Sequence, residues 1–561
     1  MSKKQAAQYN TQGTRAVAEF LDAVGSATDA AGAHGAGGQA ILDQVKNTPG
    51  VTVPQHLNEM LGRVTSGDEV RILDAIANGV RIYEQEHGTA PTADVVEAAL
   101  QQGNSAMRGI DGSGRLLDSV ATSDNHAQGS LQANRAVVAT LSAIAEAIPF
   151  AAYLPVDIAS NQAKLAILSH ESGSAYGDYT VGKIMDGVNV GDVFAASSRF
   201  IKIVHTGDVP YTGKFSETNL TDADAGYCNP AADGVPVLRG RTILYVNGKV
   251  AAMDSLNGSG ANSPLTGSVE IAGTTHTITG TVAPATGVVT LTAVAPDFPA
   301  GTLVTVQGFV DYERAPALIP RVIVRASTYD LYANPWRVMT GISIDAQGQF
   351  RNELGLDANS EALMAIRAQM SMERHYMALR MARDLGINNA VNFDFDHASQ
   401  KVEKVRAQIW QDFMPVLHDA DQKMANATMD HGITHLYVSS WIAGQWSGLP
   451  DSMFVPSGIS ARPSIYRVGR LFNKYEVYYS PKLVQESSDM ASSSIIGVGR
   501  SSQVARCPIV LGDAVSPTFL DLNLQSDLNK QSAMYARDFT VVNPHEPSAL
   551  GCAQINITNL K

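Results

Sequence analysis

The sequence has few cysteines and few charged residues for a length of 561 residues. Its three cysteines, Cys228, Cys507 and Cys552, are too few and too widely spaced for a disulfide framework or a Cys-based zinc site. We expect them to be small buried side chains in a reducing compartment. Charged residues make up only 17%, and 41 Lys and Arg against 54 Asp and Glu leave a net charge of −13. Because binding to nucleic acid depends on clustered cations, this balance argues against a protein that wraps nucleic acid.

Long apolar runs are also missing. The longest candidate, residues 137–155, is interrupted by Glu146 and Pro149, and no apolar stretch follows the two lysines near the N-terminus. A membrane-spanning helix needs about 18 or more apolar residues, and a secretory signal needs an apolar region close to its first residues. We therefore expect a soluble protein that is made in the cytoplasm.

Motifs of known chemistry are incomplete in this sequence. Residues 177–184 nearly match the phosphate-binding loop GxxxxGK[ST], but Ile184 replaces the hydroxyl residue that holds Mg²⁺. We interpret this segment as a turn between two strands. His375 has no nucleophile or orienting partner that the sequence identifies, and HExxH, GxSxG and paired Cys motifs do not occur. We therefore expect no catalytic residue, no cofactor and no enzymatic activity.

Two acidic groups have the oxygen ligands that a hard cation prefers. Asp394, Asp396 and His397 lie just before a predicted helix, where acidic side chains stabilise the positive end of the helix dipole. Asp222 and Asp224 belong to a polar turn. We interpret both groups as structural and expect no metal site.

The composition changes along the chain. Residues 1–140 contain three aromatic residues and no Trp, and Gly and Pro divide them into short helical segments. Such a string of helices has little core of its own, so we expect it to need a partner surface or to be a transient part of the molecule. Residues 212–312 are β-rich, with Thr and Val alternating and Asn247–Gly248 as a hairpin turn signal.

The strongest helical signal lies in the third quarter of the chain. Asn359 or Ser360 is the predicted N-cap of a helix that runs to Leu385, and Gly386 is its stop signal. A helix of about 25 residues spans ~38 Å, which is long for a globular domain. Apolar residues at three- and four-residue spacing predict its packing face: Leu363, Ile366, Met370, Met377 and Met381.

A second amphipathic helix is predicted over residues 398–414. Val402 and Val405 begin its apolar stripe, and Pro415 is expected to end or kink it. The four Trp residues lie between positions 336 and 446, which predicts the best-packed core rather than a stacking platform. Short strands follow to the end of the chain.

This order of elements resembles the major capsid protein of tailed bacteriophages, which has the Hong-Kong-97-like (Johnson) fold. That α+β fold has an N-terminal arm, an extended E-loop, a P domain with a long spine helix, and an A domain. Residues 360–385 match the place of the spine helix, and the T-even-type members are the most similar. The resemblance covers roughly residues 140–561. It is carried by the segments RVIVRASTYDLYANPWRVMTGISI from Arg321, ITHLYVSSWIAGQW from Ile433, VGRLFNKYEVYYSPKLV from Val468, IIGVGRSSQVARCPIV from Ile495 and YARDFTVVNPHEP from Tyr535.

The resemblance implies a division into six parts. They are residues 1–140, a helical region that is scaffold- or Delta-like or an extended N-arm; 141–211, the N-arm and the start of the P domain and E-loop; 212–312, a β-rich insertion or E-loop domain; 313–430, the P domain with its spine helix; 431–520, the A domain; and 521–561, closing P-domain strands.

The resemblance also implies a function. The chain would self-assemble as hexamers and pentamers into the icosahedral head that encloses phage double-stranded DNA, without sequence-specific binding and without a membrane. It would belong to the virion and be made in the host bacterial cytoplasm, with scaffold, portal, decoration protein and maturation protease as partners. T-even-type proteases cut after hydrophobic-x-Glu, which indicates Glu146 in Ile144–Glu146 or Glu59 in Leu57–Glu59 as cleavage sites.

Other assembly proteins remain as alternatives. A contractile tail sheath would polymerise into tubes, but the long predicted helix argues against it. An encapsulin-like compartment would lack the helical region 1–140. For the β-rich insertion we expect a role in clamping neighbouring subunits. Carbohydrate binding is less favoured, because residues 268–310 contain only Phe298 and Phe309 as aromatic residues.

Overall fold

The computed structural model describes a large part of the chain in two units. The described residues are 15–21, 41–42, 53–108, 136–156, 161–204, 210–221, 224–256, 260–355, 358–521 and 529–561. Unit 1 consists of Met1–Ile167 and Thr328–Lys561, and unit 2 is Leu168–Ser327. Among the described helices, none is both long enough and apolar enough to cross a membrane.

The helices belong mainly to unit 1. The α-helices are α1 (Gln55–Leu61), α2 (Ser66–His87), α3 (Ala93–Arg108), α4 (136–145), α5 (Ile344–Gln349), α6 (Ala358–Gly386), α7 (His397–Gln400), α8 (Arg406–Thr428), α9 (Ser440–Ser447) and α10 (Glu546–Ala549). Residues 15–21 are helical as well. Short 3-10 or π turns occupy Gly187–Asn189, Pro316–Leu318, Phe350–Leu354, Ile387–Asn389 and Val504–Arg506.

The strands form four sheets. The strands are β1 (Ala152–Tyr153), β2 (Gln162–Ser172), β3 (Ser198–Ile203), β4 (Tyr211–Lys214), β5 (Ile243–Val246), β6 (Lys249–Asp254), β7 (Ser263–Ile271), β8 (Thr274–Ala283), β9 (Val288–Ala295), β10 (Val304–Phe309), β11 (Val322–Tyr332), β12 (Asn334–Ser343), β13 (Val391–Asp394), β14 (His435–Val438), β15 (Phe454–Pro456), β16 (Tyr466–Leu471), β17 (Tyr475–Tyr479), β18 (Ser493–Val498), β19 (Ile509–Asp521), β20 (Asn529–Val542) and β21 (Cys552–Thr558). Their spatial orders are β1-β19-β20-β12, β13-β21-β18-β14-β17-β16-β15, β3-β10-β5-β6-β7-β8-β9-β4 and β11-β2.

Helix α2 shows why the N-terminal region is helical. Thr65 is its N-cap, and the Thr65 hydroxyl donates to the Asp68 carboxylate over 3.0 Å in the first turn. Gly88 ends the helix with φ 70°, a left-handed conformation that glycine adopts without steric cost, and its amide donates to the Glu84 carbonyl over 2.7 Å. The helix is therefore defined at both ends by its local sequence.

The N-terminal helices share a core with the rest of unit 1. Sequence patterning predicts little core within residues 1–140, but the described helices of that region supply half of the buried residues of a cluster that they share with α6 and the sheets of the same unit. The shared cluster includes Leu57, Ile72, Leu73, Ile76, Val96, Ile144, Phe150, Leu379, Ala382, Tyr437, Tyr478, Ile496, Ile509 and Leu511. At roughly 1.5–3 kcal/mol for each fully buried large apolar side chain, this contact is a major part of the stability of unit 1.

Helix α8 continues past Pro415, the residue at which the sequence predicts an end or a kink. It extends from Arg406 to Thr428 and contains Pro415 in its interior. The predicted bounds 398–414 are therefore wrong, and Pro415 does not end the helix. Val402 and Val405 lie before the helix as exposed residues. The proline removes one backbone donor, but the buried stripe continues on both sides of it and packs the helix in place. That stripe is Ile409, Trp410, Phe413, Leu417, Ala420 and Met424.

Unit 2 is an eight-stranded antiparallel sheet around its own apolar core. The predicted hairpin at Asn247–Gly248 is confirmed: it joins β5 to β6, and both residues have positive φ, 48° and 77°. The unit extends beyond residues 212–312, because β3 pairs with β10 along six residues and β4 pairs with β9. These pairings connect residues that are far apart in sequence, so no local pattern marks them.

Candidate assembly surfaces

Strands β2 and β11 form a two-stranded ribbon, which we call the ribbon. Each strand has 11 residues, and in the described chain β11 pairs with β2 alone. Val322, Ile323 and Val324 at the start of β11 are 55%, 52% and 62% exposed. An isolated two-stranded hairpin is at best marginally stable in water. A long strand with an unpaired edge and exposed apolar side chains also offers a template for pairing with another chain.

Strand β12 has a second open edge in unit 1. It is the last strand of its four-stranded sheet and pairs with β20 in register from Asn334 opposite Asp538 to Ser343 opposite Asn529. The side chain of Met339 is 63% exposed on this strand. Within the described residues, the other edge of β12 has no partner strand. The ribbon and the β12 edge are thus two separate surfaces that a monomer leaves uncovered.

A buried ion pair network fixes α6 to the four-stranded sheet that contains β12. Arg374 of α6 binds Asp513 of β19 over 2.8 Å and Asp538 of β20 over 3.3 Å. Burial lowers the pKa of Arg374, but the two carboxylates outweigh it and hold the pKa above its ordinary value. Burial raises the pKa of Asp538, and Arg374 opposes that rise. The network joins one helix to two neighbouring strands, so it positions α6 across the sheet.

A second buried cation holds the N-terminal helices. The guanidinium of Arg500 donates to both carboxylate oxygens of Asp94 over 2.8 Å, and also to the Thr92 hydroxyl over 2.6 Å. It reaches the Pro149 carbonyl over 3.0 Å. Burial lowers the pKa of Arg500, but Asp94 holds it above the ordinary value. One arginine therefore binds α3 and the segment after α4 at the same time.

The predicted cleavage sites lie in or beside helices. Glu59 is inside α1, where its carboxylate accepts from the Asn104 amide over 2.8 Å. Glu146 follows α4 directly and pairs with Arg367 of α6 over 3.2 Å. Burial raises the pKa of Glu146, an effect that Arg367 opposes. A protease needs an extended and accessible segment, so cleavage at either residue requires local unfolding first. Cleavage there stays a prediction.

The predicted packing residues of the spine helix have unequal burial. Met370 is buried, while Leu363, Ile366, Met377 and Met381 are partly buried. Ile366 packs with Met370 against Trp336, Met534 and Ala536. The most deeply buried part of α6 lies nearer its C-terminal end and consists of small and apolar residues: Ala378, Leu379 and Ala382. The alanines have too little hydrophobic surface to stand out in an apolar pattern.

The remaining candidate residues have structural contacts. In the segment that resembles a phosphate-binding loop, the Lys183 ammonium donates to the Asp178 carbonyl and pairs with Asp192, both over 3.0 Å. The Asp394 carboxylate accepts from the Asn559 amide over 2.9 Å. Asp222 lies outside the described residues. Among the residues that the structure describes, no group of three His, Cys, Asp or Glu side chains is placed to hold a metal ion.

Sequence reasoning missed a group of seven rings, four of them buried and three, the histidines, partly buried, which we call the ring cluster. Neighbouring ring centroids are 4.3–5.9 Å apart. Because its members come from widely separated parts of the chain, no spacing in the sequence reveals it. The cluster consists of Tyr83 and His87 of α2, Phe150, His375 of α6, His435 and Tyr437 of β14, and Tyr478 of β17.

Comparison with known proteins finds only partial structural matches. No family model and no curated protein matches this chain. The capsid of the jumbo bacteriophage PhiKZ matches at 11% identity and a TM-score of 0.35, covering 73% of this chain and 92% of that chain. The capsid of Myoviridae phage XM1 matches at 8% identity and a TM-score of 0.26, covering 58% of this chain and 90% of that chain. The SrpI encapsulin of Synechococcus elongatus matches at 8% identity and a TM-score of 0.27, covering 42% of this chain and 79% of that chain. Scores this low describe partial similarity of fold.

Proposed function

We propose that this chain is the major capsid protein of a tailed bacteriophage, a structural subunit of the icosahedral head that encloses double-stranded DNA. The ribbon is the observation that carries this proposal, because β11 exposes Val322, Ile323 and Val324 on a strand with an open edge. Soluble monomers usually protect an open strand edge with charges, proline or a covering element. Strand β11 carries the charges of Arg325 and Asp330, but its first three residues form an uncharged apolar run that stays exposed. A shell subunit covers it with neighbouring copies of itself.

The proposed subdomains follow the Hong-Kong-97-like fold. In this assignment α6 is the spine helix of a P domain over residues 313–430, and the ribbon is the base of the E-loop. Residues 431–520 are the A domain, and 521–561 are the closing P-domain strands. The buried pairs of Arg374 with Asp513 and Asp538 support this assignment, since they hold a long helix rigidly across a sheet. We propose T-even-type proteins as the nearest relatives.

The proposed assembly consists of hexamers and pentamers made by repeated contacts between identical copies. Its proposed partners are a scaffold, a portal, a decoration protein and a maturation protease. The net charge of −13 supports enclosure of DNA without a sequence-specific grip. The protein would be made in the host bacterial cytoplasm and become part of the virion. Unit 2 would clamp neighbouring subunits, and any processing would follow Glu146 or Glu59.

A charge placed on the ribbon tests this function. Val324→Asp places a carboxylate at a position where the residue is 62% exposed, so the monomer should fold normally. In an assembled shell the same carboxylate would be buried against a neighbour, which is strongly unfavourable. We expect V324D to remain as small soluble species in sedimentation analysis under conditions in which the unmodified chain forms shells.

Val402→Asp is the matched control, because Val402 is 85% exposed before α8 and lies outside both proposed surfaces. V402D should assemble like the unmodified chain. Circular dichroism of both variants checks that the fold is retained. Assembly of V324D to the same extent as V402D would contradict a role of the ribbon in self-association.

A further inference from the structure

The ring cluster lies where the N-terminal helices meet the spine helix and the seven-stranded sheet. His87, the last residue of α2, packs against Tyr83 with ring centroids 4.3 Å apart and planes tilted by 48°, and it lies 5.8 Å from the ring of Tyr478. On the other side of the cluster, Phe150 lies 5.8 Å from His375 of the spine helix. Contacts between rings therefore bridge the N-terminal segments and the rest of unit 1.

Each imidazole of the ring cluster is hydrogen-bonded to a hydroxyl group. His87 Nδ1 and the Tyr478 hydroxyl are 3.0 Å apart, and His375 Nε2 and the Tyr437 hydroxyl are also 3.0 Å apart. His435 Nδ1 lies 2.7 Å from the Thr434 hydroxyl. Hydroxyl partners satisfy a neutral imidazole well, but they supply no negative charge to a protonated one.

The charges around the ring cluster do not favour added protons. Apart from one another, the charged groups that act on the three imidazoles are Glu86, Arg462, Arg467 and Arg500. The carboxylate of Glu86 already binds Arg462. The other two cations are also paired, Arg467 with Glu476 over 2.6 Å and Arg500 with Asp94. A protonated imidazole would thus enter a site whose carboxylates are already occupied.

Burial keeps these imidazoles neutral in the arrangement that the structure shows, which we call the closed arrangement. It lowers the pKa of His87 to about 4, helped by Arg467 and Arg462 against the opposing effect of Glu86. It lowers the pKa of His375 and of His435 to about 3, with smaller contributions from neighbouring histidines and, for His435, from Arg500. In an exposed state the pKa of histidine is about 6.5. The closed arrangement is therefore fully favoured above about pH 6.5 and loses stability as the pH falls towards 4.

We propose that the ring cluster is an acid-operated latch that releases α2 and α3 from the spine helix and the sheet while the core around α8 stays folded. Protonation of His87, His375 and His435 stabilises the open arrangement, in which water solvates the imidazolium groups. The core around α8 is built from Phe and Trp rings such as Trp410, Phe413 and Trp446, whose packing does not change with pH. Opening uncovers the apolar face of α2, including Ile72, Leu73 and Ile76. The latch does not depend on the proposed capsid function.

Hydrogen exchange of the full-length protein tests the latch. Exchange would be followed by mass spectrometry from pH 7.5 to pH 4 and corrected for the intrinsic pH dependence of the exchange reaction. We expect protection of residues 66–108 to fall before protection of residues 406–428. The ratio of closed to open molecules should fall by up to about tenfold per pH unit for each histidine that gains a proton on opening. A fluorescent dye that binds apolar surface should respond over the same pH range.

The variant His87→Gln keeps a hydrogen-bonding side chain but cannot be protonated. H87Q should make the pH dependence of the ratio of closed to open molecules shallower by up to about tenfold per pH unit, because one proton fewer is taken up on opening. His418→Gln is the matched control, since His418 is exposed on α8 and should leave the profile unchanged. Three results would each overturn the proposal: constant protection of residues 66–108 down to pH 4, loss of protection in both regions at one pH, or equal profiles for H87Q and H418Q. The first two need only the unmodified chain, so they decide the matter even if H87Q does not fold.

Discussion

At the scale of single residues, buried cations connect parts of unit 1 that are far apart in sequence. Arg500 binds Asp94 and the Pro149 carbonyl, and Arg374 binds Asp513 and Asp538. A buried ion pair adds little net stability compared with well-packed apolar residues, but the loss of one partner leaves a buried charge without compensation. These residues therefore determine which arrangement of helices and strands is stable.

Removal of the charge of Asp94 tests this view. Asp94→Asn should lower the free energy of unfolding by about 3–5 kcal/mol, because Arg500 stays charged and buried. Asp384→Asn removes the exposed partner of Arg383 and should change it by about 1 kcal/mol or less. Urea unfolding of both variants measures the difference. Equal effects of D94N and D384N would contradict the role assigned to Arg500.

Sequence patterns predict apolar core residues better than they predict polar contacts. Trp410 and Trp446 are fully buried, whereas Trp336 and Trp441 are partly buried, so the grouping of the four Trp residues marks the core only in part. His87, His375 and His435 are scattered along the sequence, and only the tertiary fold brings their rings together. Arg500 and Asp94 are 406 positions apart, so no motif could pair them. Local sequence patterns predict which apolar residues are buried, whereas contacts between distant polar residues depend on the topology of the fold.

At the scale of elements, α6 is the main organising helix of unit 1. It runs for 29 residues and packs against strands of both sheets of that unit. Its predicted extent, 360–385, agrees with the observed Ala358–Gly386, because cap and stop residues act locally. The end of α8 could not be predicted in this way, since packing of Phe413 and Leu417 on either side of Pro415 overrides the local effect of the proline.

A proline in α6 tests the importance of this helix. Ile366→Pro removes a backbone donor eight residues into α6 and clashes with the preceding turn. Ile366→Ala removes only the packing of the side chain against the cluster of Met370, Met534 and Ala536. We expect I366P to lower the free energy of unfolding by about 3 kcal/mol or more beyond I366A. Thermal or urea unfolding followed by circular dichroism measures both, and similar stability of the two variants would contradict a continuous α6.

At the scale of the whole molecule, the chain consists of two units and passes between them twice, after Ile167 and after Ser327. Both crossings occur within the paired strands of the ribbon. The β-rich character of unit 2 follows from its Thr and Val alternation, but its boundaries depend on β3 and β4, which pair with strands about 100 or 80 residues later. The open strands explain why a stable subunit would still favour self-association.

The most direct test of the proposed function is electron microscopy of the negatively stained protein, expressed alone and together with its neighbouring genes. The proposal predicts closed polyhedral shells, because repeated contacts through the ribbon and the β12 edge close with icosahedral symmetry. Tubes would indicate a sheath-like polymer. Dispersed monomers in both preparations would contradict the proposal that this chain builds a shell.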